Sequence, residues 1–202
     1  MKSFHDTIVP YFLKMTLSLV FLCATVMSVA CATSSNSSEN LWNLVRAGRA
    51  FIIMRHAIAP GTGDPDNFVL GDCLTQRNLS DAGRRQAEAI GKLFRENGID
   101  QAEVFSSQWC RCLETARLLK LGPVQELPDL NSFFQRYERR NEQTREMREW
   151  LLRQTHATPL VLVTHQVNIT ALTGFYPSSG ELVFARRTDS GEIEVLGSIK
   201  TN

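Results

Sequence analysis

A three-layer α/β/α sandwich around a mostly parallel central sheet is the fold class this chain predicts, and two apolar runs carry most of that prediction. Ala50-Phe51-Ile52-Ile53-Met54 and Leu160-Val161-Leu162-Val163 have no polar interruption, as expected of strands buried on both faces of a parallel sheet. Each run ends at a histidine: the first leads into Arg55-His56, the second passes through Thr164 into His165. Helical patterns lie between and around the runs, which is the alternation that builds a parallel sheet covered on both sides. Ligands of open α/β sheets bind outside the carboxyl ends of the strands. Two such ends carrying histidine, one with arginine beside it, describe a cationic pocket.

The chain begins with a leader. Lys2 and Lys14 precede an apolar stretch from about Met15 to Cys31, and a polar spacer, Thr33-Ser34-Ser35-Asn36-Ser37-Ser38, follows. The apolar stretch is short for a membrane span and rich in small residues near its end, so it reads as a secretory signal over residues 1–30. Ser28-Val29-Ala30 fits a cleavage site, with cleavage near Ala32 (Ala30-Cys31-Ala32) as an alternative. Val29-Ala30-Cys31 also resembles a lipoprotein junction with Cys31 as the lipidated residue, and an uncleaved anchor is the third option. Residues 31–40 are then a polar spacer and 41–202 a single domain of ordinary size. The expected location is outside the cytoplasm, periplasmic or as a membrane-anchored lipoprotein, with membrane contact only through the leader or a lipid.

Within the domain a short helix (Leu41, Leu44, Val45) ends at Gly48 and precedes the first strand. A loop rich in Gly, Asp and Pro, from Pro60 to Asp72, is where substrate selection is expected. Ser80 as N-cap and Gly98 past the end bound a helix over 81–97. Val104-Phe105 forms a strand leading through Ser106-Ser107 and Gln108-Trp109-Cys110-Arg111 into a helical pattern (Cys112, Leu113, Ala116, Leu118, Leu119), which places Arg111 near a first turn. A long helix is expected from about Phe133 to Gln154, before Pro159 and the second histidine strand. A helix over 166–173 ends at Gly174, and 182–187 with 193–199 reads as a β-hairpin on the sheet edge. The arginine-rich run from Arg136 to Arg148 alternates with Glu138, Glu142 and Glu146, as a solvated helix face does. His156 reads as a solvated loop residue.

Lys and Arg number 22 against 21 Asp and Glu, and loss of residues 1–30 removes Lys2, Lys14 and Asp6 and leaves the balance even. A neutral chain has no general attraction for nucleic acid or anionic lipid. The pocket is different. Helix N-termini favour anions, and guanidinium forks match phosphate oxygens. Arg55, His56, Arg111 and His165 in one pocket would suit a phosphoryl group.

Arg55-His56 after an apolar strand resembles the Arg-His-Gly signature of the histidine phosphatase superfamily, with its phosphoglycerate-mutase-like fold. Leu79-Ser80-Asp81-Ala82-Gly83-Arg84-Arg85-Gln86-Ala87 is similar to that family's Leu-Thr-x-x-Gly-x-x-Gln-Ala helix start. Ser106-Ser107 through Arg111 to Glu114-Thr115-Ala116 is similar to its Ser-Ser-x-x-x-Arg-x-x-x-Thr-Ala segment, and Val163-Thr164-His165 to its late strand. The resemblance covers roughly residues 50 to 175. It implies His56 as nucleophile through a phosphohistidine, Arg55 and Arg111 as holders of phosphate oxygens, and His165 as a donor to the transferring phosphoryl group. It implies no metal and no cofactor, because cationic side chains supply the charge, and a small phosphorylated molecule as partner. Gln166 and Asn168, after the second histidine, are candidate substrate contacts, with helix capping an almost equal account of them.

Three positions depart from the family pattern. Ala57 stands where Gly usually follows the first histidine, Ser132 where many members carry a glutamic acid, and Gln166 where the acid-phosphatase branch has aspartic acid. The proton donor is therefore open, with Asp64, Asp72 and Glu142 as loop candidates. A site without a strong acid favours good leaving groups. The function expected is a metal-independent phosphohydrolase. A phosphohistidine or phosphoanhydride hydrolase is one alternative, and a phospholigand-binding lipoprotein without turnover the other.

Past Cys31 the chain holds Cys73, Cys110 and Cys112, with no zinc-like spacing. In an oxidising compartment Cys73 pairs naturally with Cys110 or Cys112, tying the loop after the first strand to the segment carrying Arg111. Three small buried hydrophobes are the alternative.

Overall fold

The computed structural model describes residues 38–155 and 157–201. The leader, its alternative junctions at Ala30, Cys31 and Ala32, the spacer up to residue 37 and His156 lie outside the described residues. Residues 38–40, read as the end of the spacer, are helical.

A helix over residues 41–46 (α1) leads into the first strand, Phe51–Arg55 (β1). Then follow Asp81–Glu96 (α2), Glu103–Ser106 (β2), Cys110–Leu119 (α3), Val124–Glu126 (β3), Arg140–Arg153 (α4), Leu160–Thr164 (β4), Gln166–Thr173 (α5), Leu182–Arg187 (β5) and Ile193–Ile199 (β6). The sheet order is β3-β2-β4-β1-β5-β6. β1 to β4 run parallel, β5 lies antiparallel to β1, and β6 antiparallel to β5. This is the mostly parallel sheet, with a hairpin at one edge, that the apolar runs predict.

Why β1 carries no polar residue is plain from its two faces. Ile52 and Met54 pack with Trp42, Ile90, Phe94, Leu119 and Phe184 beneath α1, α2 and α3. Phe51 and Ile53 pack on the opposite side with Met147, Leu151, Ile169 and Leu172 of α4 and α5. Alternate side chains of a strand point to opposite faces, so a strand covered on both sides is apolar throughout.

The register brings the reactive ends together. Arg55 pairs with Thr164 and Ser106 with Val163, so β1, β4 and β2 finish at one level. His56 N–H donates to Thr164 O at 2.9 Å and Ser107 N–H to Val163 O at 2.9 Å, extending the ladder one residue past each strand.

One predicted element is shorter than expected. The helix expected over 133–154 is regular only from Arg140, after a 3-10 turn at Tyr137–Arg139. Ser132 Oγ accepts from Phe134 N at 3.2 Å. A serine hydroxyl that closes a local turn competes with helix formation. That turn buries Phe133 at 1% exposure and leaves Phe134 half exposed.

Among the described residues no helix is long and apolar enough to cross a membrane.

Candidate active site

The turn after β1 is built by side chains that do not line the cavity described below. Ser80 Oγ caps α2 by accepting from Gly83 N at 3.1 Å, while Ser80 N donates to Ile58 O at 3.1 Å. Gln86 accepts from Ile58 N at 3.0 Å and donates to Ser179 O at 3.0 Å and Thr201 O at 2.9 Å. A Cβ on Gly83 would stand 2.1 Å from Ile58 O, so only glycine lets α2 approach this closely. Thr115 Oγ1 accepts from Ala57 N at 3.0 Å and donates to Arg111 O at 2.7 Å, joining the end of β1 to α3. These bonds fix the peptide after His56 from both sides. Ala57 does not take a positive φ, so alanine fits where glycine is usual.

At the carboxyl ends of β1, β2 and β4 lies a cavity of about 290 Å³ lined by Arg55, His56, Asp64, Arg77, Arg111 and His165. Its other wall residues include Thr62, Ser132, Phe134, Gln166, Val167 and Tyr176, all uncharged. The four residues predicted to converge, Arg55, His56, Arg111 and His165, do so here, with the imidazole centroids 5.5 Å apart.

His56 Nδ1–H donates to Ala57 O at 2.7 Å, which leaves the lone pair on Nε2. Burial, and next the Arg111 charge, push the His56 imidazole down to about 3, so it is neutral across the physiological range. His165 is likewise held well below its ordinary value by burial and then Arg111. Its Nε2 lies 2.9 Å from Ser107 Oγ. Cys112 Sγ lies 3.4 Å from the same nitrogen, and burial pushes that thiol up to about 12, so it is not a thiolate nucleophile.

Arg55 Nη1 donates to Pro177 O at 3.5 Å, and its buried Nε has no protein partner. The buried Arg111 Nε has none either. Buried donors without partners are costly, and an anion oxygen would satisfy them. Arg77 supplies a third guanidinium, held by Gly63 O at 2.7 Å and by Ala59 O. Sequence reasoning missed it. The available signal was its place two residues before Leu79-Ser80, in the loop that must fold back over the pocket.

The carboxyl candidates fare differently. Asp64 lines the cavity but is bound to Arg111 at 2.6 Å through a nearly unexposed ion pair. Burial alone would raise its carboxyl; the hydrogen bonds and charge of Arg111, with Trp109 and Arg77, outweigh that and hold it below the ordinary range. An ionised, fully engaged carboxylate is a poor proton donor. Asp72 is exposed and caps the turn Cys73–Thr75 by accepting from Leu74 N at 3.0 Å, away from the cavity wall. Glu142 is exposed in the first turn of α4 and is not in the wall. Ser132, at the position where the resemblance leads one to expect an acid, does line it. Gln166 lines the cavity, but Asn168 does not: it is buried behind the wall and donates to Asn131 O at 2.8 Å.

A disulfide joins Cys73 to Cys110, leaving Cys112 free and buried. It ties the loop after β1 to the first residue of α3, next to Arg111. Closing a loop of 37 residues constrains the unfolded chain by about 3–4 kcal/mol. Reduction of the bridge is therefore expected to lower the urea midpoint and weaken phosphate binding together, measured with and without dithiothreitol.

The two histidines also set a pH dependence. Their folded values lie below the unfolded value of 6.5, so below pH 6.5 the unfolded chain takes up protons that the native chain refuses. Stability falls from there towards acid. Urea midpoints between pH 8 and pH 4 are expected to drop more steeply in the wild type than in His56→Ala.

The model of the histidine phosphatase superfamily (branch 1) matches residues 52–161. Among solved structures, a putative alpha-ribazole-5'-P phosphatase from Escherichia coli is 17% identical, with a TM-score of 0.56 over 73% of this chain and 94% of its own. The protein histidine phosphatase SixA in complex with tungstate is 14% identical, with a TM-score of 0.52 over 75% of this chain and 96% of its own. Phosphoserine phosphatase from Entamoeba histolytica, in complex with 3-phosphoglyceric acid, is 14% identical, with a TM-score of 0.55 over 76% of this chain and 98% of its own. No curated protein sequence matches. With the family model covering more than half of its length and the sheet ending in this pair of histidines, the chain belongs to the histidine phosphatase superfamily and is a phosphatase.

Proposed function

We propose that this chain is a metal-independent phosphohydrolase that passes the phosphoryl group of a small phosphorylated substrate through His56. The observation that carries this is a buried, neutral imidazole whose Nδ1–H is fixed by Ala57 O, in a cavity lined by three guanidinium groups. The Nε2 lone pair attacks phosphorus, and the bond to the leaving oxygen breaks with its electron pair. Water then attacks the phosphohistidine, the P–N bond breaks, and Nε2 regains its lone pair. Arg55, Arg77 and Arg111 face the charge that spreads over the equatorial oxygens, where most catalysis of phosphoryl transfer arises. Ser107 Oγ–H can donate a hydrogen bond to His165 Nε2, which places the imidazole's own proton on Nδ1.

No free carboxylate lies in the cavity wall, since Asp64 is spent on Arg111. That favours substrates whose leaving group needs no proton from the enzyme: aryl phosphates, phosphoanhydrides, and phosphohistidine whose distal ring nitrogen is protonated by solvent. General acid catalysis is worth about 10²–10⁴ in rate. Aryl phosphate is thus expected to turn over at least about 10²-fold faster than an alkyl monoester. A phosphate-release screen of monoesters, anhydrides and phosphohistidine, with and without EDTA, tests the reading. Equal rates on alkyl and aryl substrates would show a strong acid in the site. Loss of activity in EDTA restored by Mg²⁺ or Zn²⁺ would contradict metal independence, and no turnover on any substrate would favour a binding protein. We also propose an exported location, supported by the leader and by the Cys73–Cys110 bridge.

A further inference from the structure

The cavity contains one carboxylate, and four donors are turned onto it. Asp64 Oδ1 accepts from Arg111 Nη1 at 2.6 Å and from Arg77 N at 3.1 Å. Oδ2 accepts from Arg111 Nη2 at 3.1 Å and from Trp109 Nε1 at 2.9 Å. The side chains of Arg111 and Asp64 are 3% and 4% exposed. Fold stability alone does not account for such a pair, because buried ion pairs often contribute no more than apolar residues of the same volume.

Its effect on the site is specific. Gripping Arg111 by both terminal nitrogens fixes the guanidinium plane and leaves Nε, which has no protein partner, as a donor for another oxygen. Trp109, held by Asp64, stands edge-on to His165 at 5.5 Å and stacks on Phe68 at 5.0 Å. One carboxylate thus orients a guanidinium and buttresses an imidazole. It also sets the charge: Arg55, Arg77 and Arg111 less Asp64 leave a net charge of plus two among the lining residues, with both histidines neutral. A phosphomonoester dianion carries the matching charge.

We propose that Asp64 is the positioning residue of the phosphoryl clamp, holding Arg111 in the orientation that meets the equatorial oxygens and setting the pocket's charge to suit a dianion. This rests on the proposed phosphohydrolase reading, and the experiment separates the two. Asp64→Asn keeps the size but removes the charge and turns an amide against Arg111. Misplacing a positioned group by about 1 Å can cost about 10² in rate. In the full chain, kcat on aryl phosphate is expected to fall by about that factor. Inhibition by vanadate, which mimics the five-coordinate phosphoryl group, should weaken in parallel. Inorganic phosphate, a ground-state ligand drawn by net charge, should bind at least as tightly, and KM should change little. Asp64→Glu should recover part of kcat. Trp109→Phe, which keeps the ion pair and loses one hydrogen bond, should shift kcat and vanadate in the same direction by less.

Wild-type kcat and vanadate inhibition in Asp64→Asn would overturn the proposal. So would selective loss of alkyl turnover with aryl turnover intact, or a missing alkaline limb in the pH profile, because both mark a proton donor. If phosphate and vanadate binding fall equally with the melting temperature, Asp64 is only a structural latch and the proposal fails. If Asp64→Asn does not fold, Trp109→Phe decides by the same split. A wild type without turnover removes the phosphohydrolase reading but not this one, which calorimetry with vanadate still decides: parallel affinities in wild type and variant, or none in the wild type, overturn it.

Discussion

Turnover by His56→Ala is expected to fall by at least about 10³-fold, because the variant loses the atom that forms the covalent bond. The side chain is 1% exposed and makes one polar contact, from Nδ1 to Ala57 O at 2.7 Å, so its loss leaves a small cavity and no orphaned charge. The fold should survive, and the clamp of arginines with it. Inorganic phosphate should therefore still bind to His56→Ala, while aryl phosphate release stops and vanadate, which needs Nε2 as its fifth ligand, binds more weakly. The comparison needs only a colorimetric assay and a melting curve. If the variant retains more than a trace of wild-type turnover while folded, the phosphoryl group reaches water by another route.

The second large effect is expected at Arg111, and there stability and catalysis should fail together. Arg111→Ala removes the cation that compensates Asp64, whose side chain is 4% exposed. Breaking a buried pair from one side costs about 3–5 kcal/mol. The same change removes a donor from the transferring phosphoryl group, worth about 10²–10³ in kcat. Arg111→Lys restores the charge but not the fork, since an ammonium cannot grip both carboxylate oxygens side by side. It should recover most of the stability and little of the rate. Chemical denaturation and aryl phosphate kinetics on both variants measure this, and a lysine variant with wild-type kcat would show that charge alone suffices.

The parts legible in the sequence were those carried by local rules. Apolar runs without interruption gave β1 and β4 because both faces of each are covered, and Ser80 and Gly98 bracketed α2 because capping is a property of neighbours in the chain. The convergence of His56 and His165 followed from parallel strands ending at one level. Partnership across the fold was not legible. The sequence offers Asp64, like Asp72 and Glu142, as a proton donor on a loop that can reach the pocket, but nothing in its neighbours shows that Arg111, 47 residues later, fills both of its oxygens. Arg77 was missed for the same reason, since its guanidinium is placed by carbonyls of Ala59 and Gly63 across a loop. The start of α4 was misplaced because the hydroxyl of Ser132 serves a turn there, a choice made by tertiary demand for Phe133 in the core.

The central claim is covalent, and the most direct measurement is to find the covalent species. The enzyme is mixed with aryl phosphate, quenched in alkali, digested, and its phosphopeptides are mapped. A phosphoramidate survives base and is lost in acid, whereas a serine or threonine ester survives acid. The expected result is base-stable, acid-labile phosphate on residue 56 of the wild type and none on His56→Ala. Phosphate on any other residue, or turnover by His56→Ala with no label at all, would contradict the account.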